Sequence, residues 1–360
     1  MKLNTIKSFS IGDLTAQLPI IQGGMGVGVS LSGLASAVAN EGGIGVIATA
    51  GIGMLDPDFA GDFLAANIRV LKKEIKKARE LTKGIIGVNI MTALSNFADM
   101  ARTAIEEGAD VIFSGAGLPL NLPQFLAGTK KTKLVPIVSS ARAAGIIIKK
   151  WVEKYNYVPD AVVVEGPLAG GHLGFKADQI GSPEYSLENL IPQVVTEVGA
   201  YEAQYQRTIP VIAAGGIYTG ADINKFLQLG AAGVQMATRF VTTDECDAAI
   251  EFKRAFLGIK QEDLVIIKSP VGLLGRAIKN QFIADVATGK KKPFHCPYHC
   301  ITSCDYKKSP YCIALALINA CRGKLKQGFV FSGANGYRTK EIVSVKTLIN
   351  SLLDEYACAR

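Results

Sequence analysis

Eight short apolar runs, separated by longer segments, are the feature that most constrains how this chain can fold. Each run is hydrophobic at almost every position, which is typical of parallel strands that are buried on both faces. Because parallel neighbours must be joined by long crossovers, the spacing predicts strands that alternate with helices. The predicted strands are residues 18–22, 45–50, 85–90, 111–114, 135–139, 161–165, 210–214 and 233–236.

The segments between these runs have the periodicity of helices. Eight strands, each followed by a crossover, predict an α/β fold, and we expect a TIM (β/α)8 barrel, with an open doubly wound sheet as the alternative. In both architectures a ligand binds beyond the carboxyl ends of the strands. The predicted helices are residues 30–40, 58–81, 95–107, 141–155, 187–205 and 220–229.

The regular pattern ends after the eighth strand. Residues 244–322 are basic and loop-rich and hold most of the cysteines, whereas residues 342–353 again have the periodicity of an amphipathic helix. We therefore predict a barrel over residues 1–243, a small inserted domain over residues 244–322, and a segment over residues 323–360 that returns to the barrel.

Composition excludes several classes of function. The chain of 360 residues is 49% hydrophobic and 19% charged, which excludes general disorder. Its net charge of +8 comes largely from short lysine runs without interleaved aromatic residues, so we expect no nucleic-acid partner. Because the sequence lacks a long uncharged apolar stretch and a signal-peptide pattern, we expect a cytoplasmic protein without a membrane partner. A small-molecule substrate is expected, and a homodimer is left open.

Glycines follow four of the predicted strands at the end where a ligand would bind. They lie within residues 23–26, 115–117, 170–171 and 215–216. A single pair is explained equally well as a tight turn, but four such places at one end of a sheet favour a close approach of bare backbone to a ligand.

The loops after the seventh and eighth strands predict a phosphate site. In a barrel, backbone NH groups and a helix N-terminus at this place attract an anion. The residues predicted for it are Gly215, Gly216, Gln235, Met236, Ala237 and Thr238.

His172 is the candidate catalytic residue. It is one of three histidines, and it follows Gly170 and Gly171 at the carboxyl end of the sixth predicted strand. Near neutral pH an imidazole can accept a proton and an imidazolium can donate one. Asn89, at the end of the third strand, can hydrogen-bond a heteroatom of a ligand ring or cap a loop.

Together these residues resemble the FMN-dependent nitronate monooxygenase family, formerly called 2-nitropropane dioxygenases, which is similar in turn to the flavin-dependent enoyl-acyl-carrier-protein reductases. The resemblance covers nearly the whole barrel. It rests on the run Gly23-Gly24-Met25-Gly26, on Asn89, and on residues 165–172, 213–217 and 235–240.

The resemblance implies an FMN-binding barrel and an oxidoreductase that oxidises nitronates or nitroalkanes with O2, with His172 as the acid–base residue. The alternative is an NAD(P)H-dependent flavin reductase that acts on an enoyl thioester, such as enoyl-ACP, or on a quinone. By position, the implied cofactor-binding residues are Gly24, Met25, Gly26, Asn89, Glu165, Gly170, Gly171, Gly215, Gly216, Gln235, Met236, Ala237 and Thr238.

Three positions depart from the family pattern. Members often have glutamine in place of Glu165, an acidic residue in place of Leu168 and glycine in place of Ala237. The first two differences bear on substrate identity more than on flavin binding. Alanine keeps its backbone NH, so a phosphate can bind there provided that φ of Ala237 is negative.

Cys296, Cys300, Cys304 and Cys312 are spaced C-x3-C-x3-C-x7-C, with His295 and His299 beside them. Four cysteines in a loop-rich segment can be buried small hydrophobes, but they more often bind a metal. Structural zinc and an iron–sulfur cluster are both compatible, and we favour a [4Fe–4S] cluster because the spacing matches no familiar zinc pattern. The family resemblance does not extend to this cluster.

Two other kinds of protein share the predicted fold. One is a non-catalytic sensor that binds a phosphate ligand in the barrel. The other is a glycolytic or nucleotide-biosynthetic enzyme, which would normally place lysines or several carboxylates at the strand ends. Glu165 is the one carboxylate that ends a predicted strand.

Overall fold

A computed structural model describes residues 6–129, 131–290, 296 and 298–360, so that His295 lies outside the described residues. Eight parallel strands form its central sheet. The strands of the described residues are β1 (Phe9–Ile11), β2 (Leu14–Ala16), β3 (Ile20–Gln22), β4 (Gly45–Ala48), β5 (Ile86–Met91), β6 (Val111–Gly115), β7 (Lys133–Val138), β8 (Val162–Glu165), β9 (Gly171–Leu173), β10 (Val211–Ala214), β11 (Gly233–Met236), β12 (Leu264–Lys268) and β13 (Leu274–Ile278).

The central sheet closes on itself. Its strand order is β3-β11-β10-β8-β7-β6-β5-β4, and the two end strands meet through Ile44, which precedes β4. Gln22 N donates to Ile44 O at 2.9 Å, and Ile44 N donates to Ile20 O at 3.0 Å. These bonds complete a TIM (β/α)8 barrel and exclude the open sheet. All eight predicted barrel strands are confirmed.

Apolar side chains fill the inside of the barrel. Val46, Phe113 and Ile212 pack there with Phe9 and Ile11 of the β1–β2 hairpin. A Cβ built on Gly233, at the start of β11, would lie 3.3 Å from the ring of Phe9, so the hairpin closes the amino end of the barrel. The carboxyl end is therefore the side from which a ligand can enter.

Helices surround the sheet, and local caps set where they begin. Helix α2 begins at Phe63 instead of the predicted residue 58, because the Asp62 side chain accepts from Ala65 N and caps the first turn. Ser140 and Thr219 cap α4 and α7 in the same way. The α-helices of the described residues are α1 (Ser32–Asn40), α2 (Phe63–Leu81), α3 (Phe97–Glu106), α4 (Ala141–Tyr155), α5 (Ala177–Ile180), α6 (Leu187–Tyr205), α7 (Gly220–Gln228), α8 (Thr238–Val241), α9 (Ile250–Arg254), α10 (Gln281–Ala287), α11 (Ile313–Cys321) and α12 (Val345–Cys358).

The chain after the eighth barrel strand adds to the carboxyl side of the barrel. Strands β12 and β13 form an antiparallel hairpin. Because β13 also pairs with β9, the hairpin and β9, the strand that carries His172, form one three-stranded sheet. Helix α12 packs on the barrel core through Leu348, Ile349 and Leu352. The division at residues 244 and 323 stays a prediction. Within the described ranges, none of the helices has the length and hydropathy that a membrane span requires.

Candidate active site

Glycines form one wall of the rim at the carboxyl ends of the strands. A Cβ built on Gly24 would collide with the Asn89 side chain, so glycine at this position makes room for that amide. Next to it, Met25 N donates to Ser30 Oγ at 2.8 Å, which fixes the turn between β3 and α1. The structure therefore brings Gly24, Met25 and Asn89 together at the rim, and their role in binding a cofactor stays a prediction.

The glycines after β8 and β10 have backbone conformations that suit glycine alone. Gly171, Gly215 and Gly216 have φ values of 79°, 95° and 86°. A Cβ on Gly216 would lie 2.7 Å from the Cβ of Leu168, and one on Gly215 would lie 2.8 Å from Gly166 O. A side chain at Gly215 or Gly216 would strain the backbone at positive φ and would also collide with neighbouring atoms. Glycine therefore leaves the backbone uncovered at both positions.

The predicted phosphate loop follows β11. Ala237 has φ −121°, the negative value that lets alanine replace glycine without strain. Thr238 Oγ1 accepts from Gly333 N at 3.0 Å, and its own proton can be donated to an anion. Helix α8 is a single turn, Thr238–Val241, so its dipole is weak and an anion would depend mainly on backbone NH groups and the hydroxyl.

A later segment that we did not predict completes this part of the rim. Ala334 N donates to Leu168 O at 3.0 Å, and Asn335 Nδ2 donates to Gly216 O at 2.6 Å. Together with Gly333 N on Thr238, these bonds join residues 333–335 to both predicted glycine loops. The sequence Ser-Gly-Ala-Asn-Gly at residues 332–336 was the available signal, since its glycines resemble those of the other rim loops.

His172 lies on β9, between the barrel and the added hairpin. Its Nε2 is 2.8 Å from Ser269 Oγ, and its ring meets the Phe331 ring edge-on, with centroids 5.2 Å apart. Burial lowers the pKa of His172 to about 4, so the imidazole is uncharged at neutral pH and can accept a proton. Ser269 and Phe331 were missed because nothing in their local sequence indicates a partner so far along the chain.

Glu165 ends β8, and burial raises its pKa to about 7. Near neutral pH a large fraction of its carboxyl is therefore protonated and can donate a hydrogen bond. Burial thus moves the pKa values of Glu165 and His172 in opposite directions and favours the uncharged form of both. The part of the rim at Glu165 and His172 therefore suits uncharged polar atoms of a ligand.

A buried arginine holds the loop between Glu165 and Gly170. Arg276 of β13 donates from Nη1 to Pro167 O at 2.9 Å and to Ala169 O at 2.6 Å. These two carbonyls are thereby paired inside the protein, and the loop is tied to the added hairpin. Sequence reasoning did not single out Arg276, because a lone arginine in a short strand resembles a solvated charge.

The four predicted metal ligands lie near one another but do not converge on a point. Cys296, Cys300, Cys304 and Cys312 line one small cavity together with His299. Burial and, after it, the neighbouring thiols raise the pKa of Cys300 to about 12. Among the described residues, no group of three or more His, Cys, Asp or Glu side chains is arranged to hold a single metal ion. The metal site therefore stays a prediction.

Comparisons with known sequences agree on one family. The family model described as nitronate monooxygenase matches residues 7–355. A probable nitronate monooxygenase from Staphylococcus aureus (strain Newman) is 29% identical over 310 residues, which cover 76% of this chain and 79% of the relative. A probable nitronate monooxygenase from Staphylococcus saprophyticus is 28% identical over 316 residues, covering 79% and 81%.

Solved structures show the same fold. FabK from Thermotoga maritima superimposes with a TM-score of 0.72 at 28% identity and covers 94% of this chain and 92% of its own. Nitroalkane oxidase from Streptomyces ansochromogenes reaches a TM-score of 0.72 at 23% identity, with 97% of both chains covered. At that identity the second likeness shows the shared architecture alone.

Proposed function

Because this chain belongs to the nitronate monooxygenase family, an oxidoreductase family, we propose that it is an FMN-dependent enzyme that oxidises nitronates or nitroalkanes with O2. The observation that carries this proposal is His172, an uncharged imidazole held by Ser269 at the open end of the barrel. A nitroalkane must lose its α-proton before it can be oxidised as the nitronate, and the unprotonated ring nitrogen of His172 can accept that proton.

The rim supports FMN as the cofactor. Gly24, Met25 and Gly26 would face the flavin ring, and the Asn89 amide and the Glu165 carboxyl would meet its polar atoms. Bare backbone at φ values that exclude most side chains suits the close approach of a flat ring and a phosphate. FMN, when bound, would supply the redox chemistry between the substrate and O2. The phosphate would be held by Gly170, Gly171, Gly215, Gly216, Gln235, Met236, Ala237 and Thr238.

The contact with Ser269 determines how His172 can act as a base. If Nε2 carries the proton and donates it to Ser269 Oγ, then Nδ1 has the lone pair that accepts the proton of the substrate. The pKa of about 4 keeps this nitrogen unprotonated over the physiological pH range. Activity that depends on the base is therefore expected to fall only as the pH drops through about 4.

The test compares a nitroalkane with its preformed nitronate. His172→Ala should lower kcat/KM for the nitroalkane by about 100-fold to 10,000-fold, the usual contribution of a general base. The nitronate has already lost the α-proton, so its turnover should fall much less. FMN content, measured by absorbance, should not change. Equal loss on both substrates with full FMN content would contradict the role of His172 as a base.

The cysteine-lined cavity favours one second candidate, the NAD(P)H-dependent flavin reductase that acts on an enoyl thioester or a quinone. Val271 lines that cavity, and Ser269, two residues earlier, contacts His172, so a redox group there would lie beside the rim. Anaerobic mixing with NADH or NADPH separates the two functions. Rapid bleaching of the flavin would favour the reductase, and an unchanged flavin spectrum would favour the monooxygenase.

A further inference from the structure

The loop that carries the four cysteines is attached to the barrel rim on two sides. On one side, Ser95 N donates to Cys300 O at 3.1 Å and Thr302 N donates to Ala93 O at 3.0 Å, which ties the loop to the segment after β5. On the other side, Ser303 Oγ donates to Val271 O at 3.1 Å, in the turn of the β12–β13 hairpin. The loop is therefore fixed between the strand that carries Asn89 and the turn that contains Ser269.

Within this loop the cysteines are presented by different local structures. Cys312 is the N-cap of the nine-residue helix α11, and its Sγ accepts from Leu315 N at 3.5 Å. Cys304 follows a turn in which its N donates to Ile301 O at 3.2 Å. His299, just before Cys300, has φ 44°, an uncommon value for a residue other than glycine. The cysteines are therefore presented by a helix cap, a turn and an irregular loop, and not by the face of one regular helix.

The four cysteines of this loop are free thiols that share one cavity, so all four are available as ligands. All seven cysteines of the chain are free thiols, so the four in this loop are not joined as disulfides. They line the same cavity, although no three ligands among the described residues converge to hold one metal ion. Four thiols around one cavity suit structural zinc or an iron–sulfur cluster, and the C-x3-C-x3-C-x7-C spacing, which matches no familiar zinc pattern, favours the cluster.

We infer that Cys296, Cys300, Cys304 and Cys312 bind a [4Fe–4S] cluster between the added hairpin and the barrel rim. Two ferrous irons, two ferric irons and four sulfides make up the loaded cluster, each thiolate ligates one iron, and the thiol protons are released to solvent. The place of the cluster beside the turn of Ser269 and Val271 puts it next to the candidate active site. The site does not depend on the substrate proposed above, because iron binding can be measured without turnover.

The test measures iron in the full-length protein, purified anaerobically or reconstituted with sulfide and equal amounts of ferrous and ferric iron. We expect about four irons and four sulfides per chain, a broad absorbance near roughly 400 nm, and a low-temperature electron paramagnetic resonance signal after reduction with dithionite. Cys300→Ala and Cys312→Ala should each lose most of the iron and this signal. Stoichiometric zinc without iron, or no iron after reconstitution, would overturn the inference.

Matched controls separate ligand loss from misfolding. Cys358 is exposed and lies at the end of α12, away from the loop, so Cys358→Ala should retain all the iron. Circular dichroism should show that Cys300→Ala and Cys312→Ala keep the helical signal of the barrel. Where one of them unfolds, Cys304→Ala, at a half-buried position, provides the same iron measurement. Full iron in a folded ligand variant would also overturn the proposed ligand set.

Discussion

The rim of the barrel has two halves that differ in origin and in the groups they present. The barrel half comes from the ends of the eight strands and presents backbone, above all at Gly24, Gly215 and Gly216. The added half comes from the chain after β11 and presents side chains, above all Ser269 and Arg276. The first half suits cofactor binding by bare backbone, and the second orients the histidine and the loop beside it.

The largest effect on stability is expected at Arg276, one of the side chains that join the two halves. Arg276→Met would leave Pro167 O and Ala169 O without their donor inside the protein, and we expect a loss of about 3 kcal/mol in the free energy of unfolding. Arg276→Lys keeps a charged nitrogen on a long stem and should lose less. Urea denaturation of both variants gives the comparison. Equal stability of wild type and Arg276→Met would mean that the strand pairing of β9 with β13 and the bonds of residues 333–335 hold the halves together without Arg276.

The second prediction concerns the carboxyl of Glu165, which lies at the end of β8 in the barrel half of the rim. Since burial raises the pKa of Glu165 from 4.5 in the unfolded chain to about 7, the folded protein binds its proton more tightly. The contribution of this group to stability is therefore present below pH 4.5 and is lost as the pH rises to 7. Glu165→Gln should remove this slope and raise the free energy of unfolding of the flavin-free protein at pH 8 by up to about 3 kcal/mol.

The control for this pH dependence is an exposed carboxyl. Glu262 has a side chain that is 72% exposed, so Glu262→Gln should leave the slope between pH 4.5 and 7 unchanged. Urea denaturation at several pH values measures both variants. A wild-type slope that survives in Glu165→Gln would show that another group causes it.

The third prediction tests whether the uncovered backbone at Gly216 is needed for FMN binding. Gly216→Ala adds a methyl group at φ 86° and 2.7 Å from Leu168 Cβ, so we expect FMN to bind about 10-fold to 100-fold more weakly. Gly108 has φ 75° and nothing within 4 Å of an added Cβ, so Gly108→Ala has the same kind of strain without the contact. Titration with FMN, followed by fluorescence, should separate the two variants. Equal FMN affinity in both would show that Gly216 does not adjoin the cofactor.

Most of the fold could be predicted from the sequence. The barrel strands are near-continuous apolar runs with regular spacing, and all eight were predicted; helices such as 141–155 and 187–205 agree with α4 and α6 to the residue. The β1–β2 hairpin was missed because strands of three residues are too short to show a period. The exact start of α2 was missed because it depends on one hydrogen bond from Ala65 N to Asp62.

The residues of the candidate site also differ in how far the sequence could predict them. The glycine loops and His172 lie at strand ends, so their common position at the rim follows once the strands are known. Ser269 and Phe331 meet His172 from 97 and 159 residues further along the chain, a pairing that β9 and β13 create and that no local pattern encodes. When a contact depends on the pairing of strands that are distant in the sequence, the sequence can indicate His172 but not the residues that contact it.

The smallest expected effect separates positioning from proton transfer in the added half. Ser269→Ala removes the partner of His172 Nε2 and leaves the imidazole free to turn or to change tautomer. We expect kcat for a nitroalkane to fall about 10-fold, about 1.4 kcal/mol, with FMN content unchanged and with little effect on the preformed nitronate. Ser303→Ala removes a hydrogen bond to the same hairpin turn without touching the imidazole, and it should leave both rates as they are. Equal slowing of both substrates in Ser269→Ala would mean that this serine supports the fold of the hairpin instead of the base.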